Sequence, residues 1–193
     1  MKVKRDMDDL CWTLLGREVM FEDRWMGMDA CRYALPGGRE IGPYYVSHPH
    51  QWAAVIPILP SGELVMVAQY RCGVARVTWE FPAGNIDPQE VPAEAAVREL
   101  FEETGCRPLE VPTLIAMVRP EPAHSPAKGY GFLCPVEAVE LSSRHADTDE
   151  CLEVLTCTVE EVMAAQREGV FCHAAHLSFF YQALYEGHLR GQR

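Results

Sequence analysis

Positive charge is scarce in this sequence: 17 Lys and Arg stand against 28 Asp and Glu over 193 residues, a formal charge of −11. A surface that grips a nucleic-acid backbone needs clustered bases to displace counterions, so this composition speaks against such a partner. A small polyanion stays open only if a divalent cation screens it. Long apolar runs are missing too. The longest, Ala53 to Leu59, is interrupted by Pro57 and is far shorter than the ~20 residues a membrane helix needs. Met1-Lys2-Val3-Lys4-Arg5-Asp6 has no apolar stretch behind it, so no signal peptide is expected. The eight cysteines (11, 31, 72, 106, 134, 151, 157 and 172) contain no C-x-x-C pair. Reduced, mostly buried thiols in a cytoplasmic protein are expected over a disulfide framework or a zinc site. There is no internal repeat and no low-complexity segment. What is present, 48% apolar residues in a chain of this length, suits one globular domain with a small annex.

The annex is residues 1–47, with a main domain over 48–193. Within it Cys11 to Glu18 and Val19 to Tyr33 read as short strands, and Pro36-Gly37-Gly38-Arg39-Glu40 as a turn. Trp12, Trp25 and Trp52 fall in or just after this region. Two readings stand for them: anchors of a sheet or subunit interface, or, for Trp25, a ring that stacks on a ligand base. Ala53 to Leu59 and Leu64 to Tyr70, split by Pro60-Ser61-Gly62-Glu63, give a hairpin signal in a mostly buried sheet. Val77 to Phe81 alternates like a strand and stops at Pro82-Ala83-Gly84. Pro92 suits a first helical turn, Ala93 to Thr104 are good helix formers, and Gly105 suits the position just past the helix. Thr113 to Val118 and Gly131 to Val139 read as strands around a Pro-rich loop. Thr158-x-x-Glu161 is a capping box opening a helix to about Glu168. A last helix, about Ala174 to Glu186, carries Leu177, Phe180 and Leu184 at helical spacing.

Chemistry concentrates in Gly84-x5-Glu90-x7-Arg98-Glu99-Leu100-x-Glu102-Glu103-x-Gly105-Cys106. On a helix Glu99, Glu102 and Glu103 share one face, where like charges repel. That stacking makes sense if a cation sits among the carboxylates. Oxygen ligands without His or Cys beside them favour Mg²⁺, with Mn²⁺ as the alternative, over zinc. A solvated acidic face is the plain alternative for any Glu triplet. The preceding glycine-bearing loop, the extra Glu90 and the Arg98 beside the first acid weigh against it.

This string resembles the Nudix box position by position, with Cys106 in place of the usual aliphatic residue. The resemblance implies an α/β/α sandwich with a mixed sheet, preceded here by the small β-rich annex. It implies an enzyme that hydrolyses a nucleoside diphosphate linked to another moiety. Glu99, Glu102 and Glu103 would be metal ligands, Glu102 and Glu103 the catalytic acids of the box, and Glu90 with Arg98 a support pair; Gly84 and Gly105 complete the structural positions. Gln69-Tyr70-Arg71 and Trp79-Glu80-Phe81-Pro82-Ala83-Gly84 resemble the ADP-ribose pyrophosphatase branch. In that branch the carbonyl matching Ala83 is a further metal ligand, and a proline 16 residues past the box, here Pro122, marks ADP-ribose.

The resemblance also implies a mechanism in which Mg²⁺ neutralises the pyrophosphate and activates a water, giving AMP and ribose 5-phosphate from ADP-ribose. The base would come from the acidic stretch Ala146 to Glu153, with Glu150 in the matching place and Glu153 in reserve. Arg71 has two readings, a clamp on phosphates or terminal ribose and an ion pair with Glu80. The loop Arg119 to Lys128 departs from the branch, with Glu121 displaced and Ala127 near the slot for an acid. A GDP-mannose-type hydrolase is the alternative enzyme, and a non-catalytic Nudix-like sensor the alternative class. The retained box acids and the lack of a basic tail beyond Arg190 and Arg193 disfavour the sensor. His48, His50 and His124 read as structural or solvated, and His173-x-x-His176 as no metal site. Related enzymes exchange the annex between subunits, which implies a homodimer.

Overall fold

The computed structural model describes residues 8–137 and 151–189. The chain forms two compact units, Met1–His50 with Glu121–Ala127, and Gln51–Pro120 with Lys128–Arg193.

The first unit is an antiparallel sheet of β1 (Thr13–Glu22), β2 (Met26–Ala34) and β3 (Glu40–Pro49), in that order. The break expected between Glu18 and Val19 is absent; β1 runs on and the chain reverses at 23–25. There the Asp23 carboxylate accepts from the N–H groups of Trp25 (2.7 Å) and Met26 (3.0 Å). A side chain standing in for a backbone acceptor is how Asp builds a turn. The turn expected at Pro36 to Glu40 forms: Gly37 and Gly38 adopt φ of 89° and 87°, and Leu35 N–H donates to the Arg39 carbonyl (2.8 Å). Strand β3 was not anticipated. Asp29 on β2 is buried, held by Arg17 (2.5 Å) and by His48. From Glu121–Ala127, His124 stacks on Tyr44 and its carbonyl accepts from Ser47 N–H.

The second unit follows as β4 (Trp52–Ile58), β5 (Leu64–Arg71), β6 (Arg76–Glu80), β7 (Ala83–Asn85), α1 (Pro92–Thr104), β8 (Thr113–Val118), β9 (Gly129–Pro135), β10 (Leu152–Cys157), α2 (Val159–Arg167) and α3 (Ala174–Tyr185). The main strand order is β10-β5-β4-β9-β8, with β4 and β9 parallel and the other neighbours antiparallel. The expected β4–β5 hairpin pairs only at Ile58 and Leu64. Beyond that pair the strands splay: β5 turns to β6 and β4 to β7. Val55 N–H donates to the Pro82 carbonyl (3.0 Å), so the link between β6 and β7 fills the opening. This splay carries the chain across the sheet directly in front of α1.

Alternation along the strands sorts the apolar residues onto two faces. Ala53, Val55, Val65 and Phe132 pack against Ala95, Ala96 and Leu100 of α1. Ala54, Ile56, Met66 and Leu133 pack against Val162 and Ala165 of α2 and Phe179, Phe180 and Ala183 of α3. The unit is therefore an α/β/α sandwich around a mixed sheet. Helix α1 starts with Pro92 and ends at Gly105, whose φ of 72° turns its N–H back onto the Phe101 carbonyl. Both halves of the capping box form on α2: Thr158 Oγ1 accepts from Glu161 N–H (3.2 Å) and Glu161 accepts from Thr158 N–H (2.8 Å). All eight thiols are free, and burial pushes Cys134 and Cys157 up to about 11. Among the described residues no helix is long and apolar enough to cross a membrane.

Candidate active site

Helix α1 faces the short strand β7 with its acidic side. Glu103 is sealed from solvent and its Oε2 accepts from Ala83 N–H at 3.1 Å. A buried carboxylate without a donor would be costly, so this contact fixes β7 against the helix. Gly84 comes so close that an added Cβ would lie 2.0 Å from Glu99 Oε1. Only glycine leaves that carboxylate room. Glu102, one turn along on the rim, is more exposed.

Arg98 ties the loop to the helix. Its Nε and Nη2 donate to the two oxygens of Glu90, each at 3.0 Å, and Nη2 also donates to the Asn85 carbonyl (2.9 Å). Nη1 reaches Glu99 (2.7 Å) and Glu102 (3.1 Å). Hydrogen bonding by Arg98, with the Asp87 N–H, holds the Glu90 carboxyl below the usual carboxylate range; Glu90 in turn raises Arg98. The guanidinium offsets the repulsion that Glu99 and Glu102 would otherwise feel. Among the described residues no three acids, imidazoles or thiols already converge as a metal cage. The donors nevertheless suit a hard divalent ion: carboxylates and a carbonyl at Ala83 with no sulfur, on a backbone cradle that Gly84 keeps open.

In front of these residues lies a cavity of about 650 Å³, lined by Gly84, Arg98 and Glu99, by Arg71 and Glu80, and by Trp52, Cys172, His173 and His176. Arg71 and Glu80 form a bidentate pair (2.8 and 2.5 Å), and Thr78 Oγ1 donates to the same carboxylate (2.8 Å). Burial alone would raise the Glu80 carboxyl, but the hydrogen bonds and charge of Arg71 outweigh it and hold it at about 2. Of the two sequence readings for Arg71 the ion pair is present, while its guanidinium stays 44% exposed on the cavity wall.

The two histidines set aside in the sequence line the same cavity. His176 is buried, its Nδ1 accepts from Phe81 N–H (3.1 Å), and burial keeps its ring neutral, with the pKa pushed down to about 3. His173 lies with its ring 4.4 Å from that of His176, and burial lowers its pKa too. Their sequence signal was a pair of histidines three apart opening an otherwise apolar helix. Trp25 is exposed with the Arg24 guanidinium 4.5 Å over its ring and is not among the cavity-lining residues. Pro122 sits in the Glu121–Ala127 segment of the first unit. Glu153 is exposed on β10, and Glu150 lies outside the described residues.

Residues 49–175 match the family model described as the NUDIX domain. The chain belongs to the Nudix hydrolase family. Nudix hydrolases generally use a divalent metal, in keeping with the donor set on α1. An ADP-ribose pyrophosphatase of Bacillus subtilis (strain 168) is 30% identical over 149 residues, covering 77% of this chain and 80% of the relative. A methanol dehydrogenase activator of Bacillus methanolicus is 30% identical over 155 residues, covering 78% and 80%. A solved structure titled an ADP compounds hydrolase superposes with a TM-score of 0.76 at 22% identity, over 92% of this chain and 95% of that one, and so shares the fold. The chain is a Nudix pyrophosphohydrolase resembling the ADP-ribose pyrophosphatase branch.

Proposed function

We propose that this Nudix enzyme hydrolyses ADP-ribose to AMP and ribose 5-phosphate with Mg²⁺, Mn²⁺ being the alternative ion. The observation that carries the reading is the single cavity in which the box residues Gly84, Arg98 and Glu99 share a wall with Arg71 and Trp52. The similarity to the Bacillus subtilis pyrophosphatase supports it. Glu99, Glu102, Glu103 and the Ala83 carbonyl would hold the metal, which supplies charge neutralisation and an activated water. The chain's own residues do the rest. The Ala83 N–H orients the Glu103 carboxylate. Glu90 and Arg98 keep the loop against the helix while Arg71 presents its exposed edge to phosphate oxygens. Glu150 takes the proton of the attacking water, with Glu153 in reserve. Residues 1–47 form an annex that joins two chains into a homodimer, with Trp25 stacking on the base and Pro122 beside the substrate.

The test is AMP release from ADP-ribose with Mg²⁺, beside a panel including GDP-mannose, with and without chelator. AMP and ribose 5-phosphate as the preferred products support the reading. A preference for GDP-mannose replaces the substrate, and metal-independent turnover removes the ion. Binding of ADP-ribose without turnover of any nucleoside diphosphate sugar would make the chain a sensor.

A further inference from the structure

Nδ1 of His173 is buried with no hydrogen-bond partner among the described residues. Folds rarely leave such an atom unexplained. Because that nitrogen is turned into the protein, Nε2 is the polar atom of the ring left to the cavity that His173 lines. Burial, partly countered by the Glu80 charge, keeps the ring uncharged.

We infer that His173 is a specificity-determining residue of this cavity, hydrogen-bonding through Nε2 to a hydroxyl of the sugar that lies beyond the diphosphate. The inference rests on the proposed reading of the substrate as a nucleoside diphosphate sugar. Positive charge for the phosphates is already supplied by the exposed edge of Arg71. A neutral imidazole adds little there and suits a hydroxyl, which can both donate and accept. Its neighbours form a stiff wall. Trp52 meets the His173 ring at 5.5 Å and backs onto Gly129, where an added Cβ would lie 2.4 Å from the indole. His176 is tied to Phe81 N–H. An indole beside a fixed ring nitrogen offers a sugar both an apolar face and a hydrogen bond. The family match ends at residue 175, so this wall comes from the margin of the shared domain and from α3 beyond it.

The test compares the parent enzyme with His173→Ala and His173→Gln, Gln placing its amide group near the position of Nε2. For ADP-ribose, His173→Ala is expected to raise KM by about 3- to 10-fold, with kcat within about twofold and His173→Gln close to the parent. The Ki of ADP, which lacks the distal sugar, should stay unchanged. A KM that does not move, or KM and the Ki of ADP rising together, overturns the inference while turnover by the parent leaves the function standing. A parent inactive on every nucleoside diphosphate sugar removes the function and the inference together. Should the variants fail to fold, the imidazole NMR signals of His173 in the metal-free parent decide: ribose 5-phosphate should shift them and AMP should not. The reverse pattern, or no shift with ribose 5-phosphate, overturns the inference.

Discussion

His176 and Glu80 are buried titratable groups, one held neutral and the other ionised, and both make the fold sensitive to acid. His176 stays neutral because burial penalises its charged form, so its pKa falls from 6.5 to about 3. Between those values the unfolded chain binds a proton that the folded chain refuses, so stability is complete above pH 6.5 and declines as pH drops below it. The linkage amounts to roughly 1.5 kcal/mol between pH 6.5 and 5. Thermal melts of the parent should fall across that window, and His176→Asn, which keeps an acceptor for Phe81 N–H, should flatten the fall. Glu80, depressed from 4.5 to about 2, adds a second loss at lower pH, as its pairing with Arg71 ends on protonation. Glu103 acts through its oxygens in the proposed chemistry. Glu103→Gln should lower kcat by at least about 100-fold with the fold retained, checked by AMP release and circular dichroism.

The pairing of α1 with β7 is where local rules and chemistry meet. A proline in the first turn, the left-handed Gly105 at the end, the run of helix formers and the spacing of Ala95, Ala96 and Leu100 set the helix; its acidic side is then aimed by contacts made outside it. Gly84→Ala would place a methyl on the Glu99 carboxylate. Since Gly84 lies in β7 and the displaced atoms belong to a site residue, the cost should fall on activity more than on stability. A loss of about 1–3 kcal/mol in urea unfolding with a larger proportional loss of turnover is the expected pattern. Arg98→Ala removes the clamp on Glu90 and the charge between Glu99 and Glu102. A fall of about 1–3 kcal/mol in stability, partly recovered by millimolar Mg²⁺, is expected in the same measurement.

At the scale of the whole molecule the first unit has β1 as an edge strand of its sheet. Leu14, Val19, Met20 and Phe21 on β1 are all exposed. An apolar edge of this length is normally blunted or paired, and the proposed dimer would cover it. Light scattering should give about 43 kDa, twice the 21.7 kDa chain. Val19→Asp with Phe21→Asp should shift the particle to the monomer mass; a parent that already scatters as one chain would remove the dimer. The acidity has a place in this plan too. Residues 80–110 hold eight acids and two bases and residues 137–161 eight and one, so the rest of the chain is slightly basic.

The sequence alone determined what depends on neighbours along the chain. Periodicity, a proline at one end and a glycine at the other placed α1, and the capping box placed α2. The spacing of Gly84, Glu90, Arg98, Glu99, Glu102 and Glu103 carried the family and most of the site. Asp23 as the turn residue of the first sheet was legible in principle, in the charged Glu22-Asp23-Arg24 that interrupts the apolar residues on either side. Tertiary structure decided what depends on residues far apart. The splay of β4 from β5 turned an expected hairpin into two strands with different partners, because the link between β6 and β7 fills the opening. His173 and His176 entered the cavity because α3 packs Phe179 and Phe180 into the core, and that packing fixes which way its first turn faces. Hydrophobic spacing specifies which face of a helix is buried; only the packed sheet specifies what that helix's end will meet.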